Sequence, residues 1–164
     1  MAIEYRCEIT AEEYNAIRKA MGWRQYHPQQ AQANVAGNTL NVVAFDLGVA
    51  VAIAGLRYNG GSMAVLNLII DPAFRGRGIE KELTDRVFAW LQAQLGPGHS
   101  VQVDTFAPLG QEDVYTEAGF QVCTGEMRGT PMYVCLSNQI EITDQMFGQM
   151  EHEGEHSGKK NSGY

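Results

Sequence analysis

Residues 75–79 read Arg75-Gly76-Arg77-Gly78-Ile79 and stand at the head of a long stretch with apolar residues at helical spacing. Two glycines alternating with two arginines at a helix start make an anion-binding device. The first turn of a helix leaves its N–H groups without internal partners, and the aligned peptide dipoles make that end positive. Gly76 and Gly78 remove side chains that would keep a ligand from the backbone, and Arg75 and Arg77 add charge-assisted bonds to phosphate. A diphosphate is a natural occupant. A dinucleotide fold would place GxGxxG in an opening strand-helix-strand unit, and a P-loop would continue into Gly-Lys-Ser or Gly-Lys-Thr; neither pattern occurs.

The elements that must position this loop follow from the periodicities. Ile3 to Ile9 alternates apolar and polar residues as a half-buried strand does. Thr10 with Glu13 forms a capping box, and Tyr14, Ile17 and Met21 recur at helical spacing up to Gly22. His27-Pro28 opens a second, short helix that runs to Ala36. Leu40 to Phe45, Val49 to Tyr58 and Ser62 to Ile70 are β-rich runs, and Asn59-Gly60-Gly61 between the last two is a hairpin signal. From Ile79, the residues Leu83, Val87, Trp90, Leu91 and Leu95 line one helix face before Gly96-Pro97-Gly98. Val101 and Val103 mark another strand, Glu112 to Ala118 a short helix, and Phe120 to Glu126 and Met132 to Leu136 a terminal pair of strands. Beyond Ser137 little remains to bury, so residues 138–164 read as a partly disordered extension with at most a short helix near Ile142 to Phe147. His152 and His156 there have a metal-capable spacing, but Gly154 weakens the helix such a site would need, and no metal is expected.

Composition narrows the function. A net charge of −7, with 12 scattered Lys and Arg residues, leaves no basic patch for nucleic acid and favours a cationic acceptor. The longest apolar run, Val49 to Leu56, is too short for a bilayer, and Met1 to Arg6 has no signal-peptide character, so a cytoplasmic protein without membrane partners is expected. Cys7, Cys123 and Cys135 are odd in number and lack metal spacing, as reduced, buried thiols would be.

The run Leu68-Ile69-Ile70-Asp71-Pro72, then Phe74-Arg75-Gly76-Arg77-Gly78-Ile79, resembles the acyl-CoA signature of the GNAT N-acetyltransferase superfamily. Val114-Tyr115-Thr116-Glu117-Ala118-Gly119-Phe120 is similar to that family's Phe-Tyr-x-x-x-Gly-Phe helix end. The likeness runs over most of residues 3–136 and implies one α/β (α+β) acyltransferase domain over residues 1–137. Its sheet would be mixed, mostly antiparallel and twisted, with about seven strands flanked by about four helices. It further implies acetyl-CoA as cosubstrate, held by the backbone of Leu68, Ile69 and Ile70 and by the loop Arg75, Gly76, Arg77, Gly78, Ile79 and Glu80. The catalytic positions would be Tyr115, whose hydroxyl would protonate the leaving thiolate, and Asn67. Trp23, Tyr26 and His27, in a segment similar to Gly-Trp-x-x-Tyr of a bacterial subgroup, would wall the acceptor site.

Two residues depart from the family pattern. Glu80 stands where the signature has Gly or Ala, so its carboxylate either faces the phosphates or turns to solvent and complements the helix dipole. Asn67 stands where many relatives carry an acidic residue, and an amide is no base. Asp71, Asp104, Glu112 and His27 are the other groups that could take the proton. The implied reaction is acetyl transfer to a primary amine, small or peptidic, by direct attack in a ternary complex; the alternative is a non-catalytic acyl-CoA-binding or regulatory module. An exposed edge at the terminal strand pair makes a homodimer an expectation as well.

Overall fold

A computed structural model describes residues 2–124, 126 and 129–136. They divide into two compact units, one of residues up to Met21 with Gln25–Val122, the other of Gly22–Arg24 with residues from Cys123 onward. The expected helix near Ile142 and the pair His152 and His156 lie outside the described residues.

In the first unit, five strands run β1 (Ile3–Arg6), β2 (Leu40–Asp46), β3 (Val49–Tyr58), β4 (Met63–Ile70) and β5 (Gln102–Asp104), adjacent in that order. Pairings are antiparallel except the last, in which β5 lies parallel to β4. The β3–β4 hairpin forms at its expected turn, where Gly60 takes φ +79° and the Asn59 side-chain oxygen accepts from the N–H groups of Gly61 (2.8 Å) and Met63 (3.2 Å). Helices α1 (Ala11–Ala20), α2 (Pro28–Ala36), α3 (Ile79–Ala93) and α4 (Glu112–Glu117) match the periodic stretches, and α3 ends before Leu95. Thr10 and Glu13 make the capping box as expected.

Sheet alternation divides β4 cleanly. Ala64, Leu66, Leu68 and Ile70 are buried in the core cluster with Ile79, Leu83, Val87 and Leu91 of α3. Met63, Val65 and Asn67 are exposed on the opposite face, the face toward which α1 packs on β3 and β4. β3 is buried over seven consecutive residues, which is why it reads as a continuous run of small and branched apolar residues.

The C-terminal strands differ from expectation. Among the described residues, neither Phe120 onward nor Met132 to Leu136 is in a strand, so the sheet has five strands where about seven were expected. An alternating pattern states what a strand would bury, but a ladder also needs an edge to pair with. Val122, Met132, Tyr133, Val134 and Leu136 are all at least 70% exposed, so no burial offsets the entropy of ordering them. The cysteines also depart from the reading: all three are free, but Cys7 and Cys123 are exposed and Cys135 is only half-buried. Cys7 lies just past the end of β1. No helix among the described residues is long and apolar enough to cross a membrane.

Candidate functional site

The site begins where two parallel strands part. β4 and β5 pair only over Met63, Ala64 and Val65, opposite Gln102, Val103 and Asp104. Immediately beyond, the Thr105 hydroxyl donates to the Leu66 carbonyl at 2.8 Å, so the backbone groups of Leu66 face the β5 side. Asp71 donates its N–H to the Val51 carbonyl at 2.8 Å, so odd-numbered positions face β3. Strand alternation then directs the N–H and C=O of Leu68 and Ile70 toward the β5 side, beyond the last described β4–β5 pair, while those of Ile69 belong to the ladder with β3. The described β4–β5 pairing thus stops short of a polar backbone edge two residues long.

The chain leaves this edge through a fixed turn. Asp71 Oδ1 accepts from the Ala73 N–H at 2.9 Å, and a 3₁₀ turn over Pro72–Phe74 delivers the chain to the loop. Gly76 (φ +70°) and Gly78 (φ +84°) both adopt the left-handed backbone that disfavours other residues, and no atom lies within 4 Å of where a Cβ would be at either. Gly78 is the N-cap of α3, which has no side-chain cap. The glycines therefore open backbone N–H groups to an approaching ligand.

The charged residues of the loop are arranged differently from their reading by type. Arg77 lies over the Phe74 ring, 5.0 Å from its centroid. Arg75 turns back toward α1, where Nη2 donates to the Met21 sulfur at 3.1 Å and the enclosed Nε has no partner among the described residues. Glu80 does not turn to solvent: it is 7% exposed, and its Oε1 accepts from the Gly76 N–H at 3.1 Å.

Tyr115 lies in the α3-side core cluster, 5% exposed, with the Phe120 ring edge-on at 5.9 Å. Burial pushes its phenol up to about 12, while a hydrogen bond with Thr105 and the nearby Arg75 guanidinium pull the other way. Thr105, beside the Tyr115 phenol, donates its hydroxyl to the Leu66 carbonyl where the β4–β5 pairing ends. Sequence reading missed Thr105, whose one signal was its place directly after β5.

On the other face, Asn67 is exposed and paired in register with Gly55. A Cβ at Gly55 would lie 2.5 Å from the Asn38 amide, so glycine is required for Asn38 to lie on the sheet there. Asp104 pairs with Val65 and shares its face, where the Gln102 side-chain amide donates to both carboxylate oxygens at 3.0 and 3.2 Å. The other candidate bases hold structure. Asp71 caps its turn, Glu112 opens α4, and His27 caps α2 by accepting from the Gln29 N–H through Nδ1 at 3.3 Å. Tyr26 is half-buried, its backbone is held at both polar groups by Asn15, and the Arg18 guanidinium covers its ring at 3.9 Å. Trp23 is half-buried and belongs to the second unit. Arg18, 3% exposed, was not singled out by the sequence; its spacing of four from Tyr14 was the available sign.

A family model described as an acetyltransferase (GNAT) domain matches residues 8–131. The chain belongs to the GNAT acetyltransferase family. Solved GNAT structures share the fold at low identity. A probable acetyltransferase from methicillin-resistant Staphylococcus aureus superposes with a TM-score of 0.72 at 16% identity, covering 82% of this chain and 100% of that one. A GNAT family protein from Streptococcus pneumoniae gives 0.64 at 16% identity, covering 84% and 98%. The aminoglycoside N-acetyltransferase AAC(6')-Iy, in complex with a CoA bisubstrate analogue, gives 0.60 at 18% identity, covering 84% and 100%. No curated protein matches the sequence. Within the GNAT fold, the five described strands and four helices supply the mixed sheet and the parted pair.

Proposed function

We propose that this GNAT protein transfers an acetyl group from acetyl-CoA to a small-molecule primary amine by direct attack in a ternary complex, in the cytoplasm, where free thiols stay reduced. The observation that carries the reading is the continuity of the backbone edge at Leu68 and Ile70 with the open glycine turn at Gly76 and Gly78. The pantetheine arm would lie along that edge and bond the backbone groups of Leu68 and Ile70, with Ile69 contributing its side chain. The diphosphate would meet the N–H groups of the loop and of the first turn of α3, assisted by Arg77. Support for simultaneous binding of donor and amine comes from AAC(6')-Iy, captured with the bisubstrate analogue CoA-S-monomethyl-acetylneamine on the same fold.

Chemistry would proceed where the strands part. Backbone donors aimed at the developing oxyanion contribute roughly 3 kcal/mol each. A phenol near 12 stays protonated, so Tyr115 is a hydrogen-bond donor to the departing sulfur. Full transfer of its proton to a thiolate of ordinary basicity would cost roughly 5 kcal/mol, so the amine's own proton ends on the sulfur. Asn67 positions the amine from the opposite face. Asp104, on that face, takes directly or through water the first proton, which the ammonium sheds before its nitrogen attacks. The second, lost by nitrogen once the C–N bond has formed, is the one that ends on the sulfur as the C–S bond breaks. Asp104 is the one candidate carboxylate that does not cap a turn or open a helix.

A screen of primary amines with acetyl-CoA, read by release of free CoA thiol, tests the reading. Acceptor-dependent thiol release is expected; binding of acetyl-CoA without release from any amine would favour the second reading, a non-catalytic acyl-CoA module. That alternative has its own support in Asn67, which cannot serve as a base, and in Glu80, whose carboxylate holds an amide of the loop.

A further inference from the structure

The loop that would receive the diphosphate already holds an anion. Glu80 is buried, and among the described residues its carboxylate has one hydrogen-bond donor, the Gly76 N–H, and no ion-pair partner. An acidic residue in the first turn of a helix ordinarily complements the dipole from its own turn. Glu80 instead reaches back past the N-cap Gly78 to an amide two residues before it, in a loop whose glycines leave the space above them open. The bond therefore takes up a loop donor that a ligand entering that space would need. Arg75 is drawn away to Met21.

We propose that Glu80 is a built-in competitor for the donor's diphosphate: its carboxylate holds the Gly76 amide until acyl-CoA displaces it, and this competition sets the protein's affinity for the donor. The inference rests on the reading of residues 76–81 as the diphosphate seat. A carboxylate and a diphosphate cannot share one N–H, and their like charges repel at such a distance. Binding thus requires Glu80 to leave. A donor carrying two phosphate charges replaces the single charge it expels, whereas a neutral or singly charged mimic gains less.

Calorimetric titration of acetyl-CoA into the full chain, with Glu80→Gln and Glu80→Ala beside the wild type, tests this. Removal of the competing charge is expected to tighten binding about tenfold in both variants, the effect of deleting one charge-assisted hydrogen bond. In proton–nitrogen NMR spectra, the Gly76 amide should shift on Glu80→Ala and again on saturation of the wild type with acetyl-CoA. Unfolding temperature confirms that each variant is folded, and Glu80→Gln, which keeps the shape, stands in if Ala does not fold. Unchanged or weaker binding in the folded variants overturns the competitor role and leaves the diphosphate seat standing. Absence of acetyl-CoA uptake by wild type and variants alike overturns both.

Discussion

The loop at 75–80 and the segment from Tyr26 into α2 were both marked by their residue types, yet they differ in what the fold does with those types. At the loop, the relevant groups are backbone N–H groups, and left-handed Gly76 and Gly78 keep side chains away from them as a glycine pattern before a helix suggests, although Glu80 already holds the Gly76 N–H. At the α1–α2 junction, the relevant groups are side chains, and the protein itself occupies them. Arg18 covers Tyr26, Asn15 clamps its backbone, and His27 caps a helix. A site made of backbone is dictated by local conformation; a site made of side chains depends on which neighbours reach them first.

The largest effect that would break this contrast is at Gly78. A Cβ there would meet no heavy atom within 4 Å among the described residues, so the fold of a valine variant should survive the left-handed strain, about 2 kcal/mol. Acetyl-CoA affinity should nonetheless fall about a hundredfold or more, because a side chain enters the seat and the N-cap geometry shifts. Titration with a circular dichroism control checks it; a folded Gly78→Val protein with native affinity would remove the backbone seat from the account.

Tyr115→Phe comes next. Loss of one hydrogen bond to a developing thiolate should lower kcat about tenfold to a hundredfold with little change in acetyl-CoA KM. The same variant has a stability signature. The folded phenol lies near 12 against 10 for the free side chain, so between those values the folded state holds the proton that the unfolded state has lost. Stability conferred by Tyr115 is thus complete below about pH 10 and declines toward pH 12, by roughly 2–3 kcal/mol. Denaturant titrations should show the wild type losing that much more than Tyr115→Phe over the interval. An identical alkaline decline in both would mean the phenol is not held neutral by burial.

Much of the fold was legible because it is local. The capping box at Thr10, the hairpin at Asn59 to Gly61, and the apolar stripe of α3 each specify their element within a dozen residues. The end of the β4–β5 pairing was not readable from spacing, because it arises between strands far apart in the chain. Nor could spacing reveal that Glu80 folds back on Gly76 or that Arg75 turns to Met21, since each is a rotamer choice set by neighbours. The expected terminal strands had the alternating pattern but no buried surface to hold them.

On the acceptor face, Asp104→Asn sharpens the comparison by asking whether any side chain there does chemistry. It should reduce kcat about tenfold, less than a sole general base would, because water shares the task. KM for acetyl-CoA should stay unchanged. Steady-state rates with a responsive amine decide it; an unaffected kcat would assign the proton wholly to solvent.

The smallest effect belongs to His27. As the N-cap of α2, its Nδ1 accepts one helix N–H, and Pro28 follows at the first helical position. His27→Ala should therefore cost about 1 kcal/mol of stability, whereas His27→Ser, with an oxygen suited to the same bond, should retain most of it. Neither change should alter the acceptor's KM if the imidazole serves the helix alone. Equilibrium unfolding and acceptor kinetics on the two variants separate the roles. A Ser variant with native stability but a raised KM would return His27 to the acceptor wall and bring the α1–α2 junction closer in kind to the donor loop.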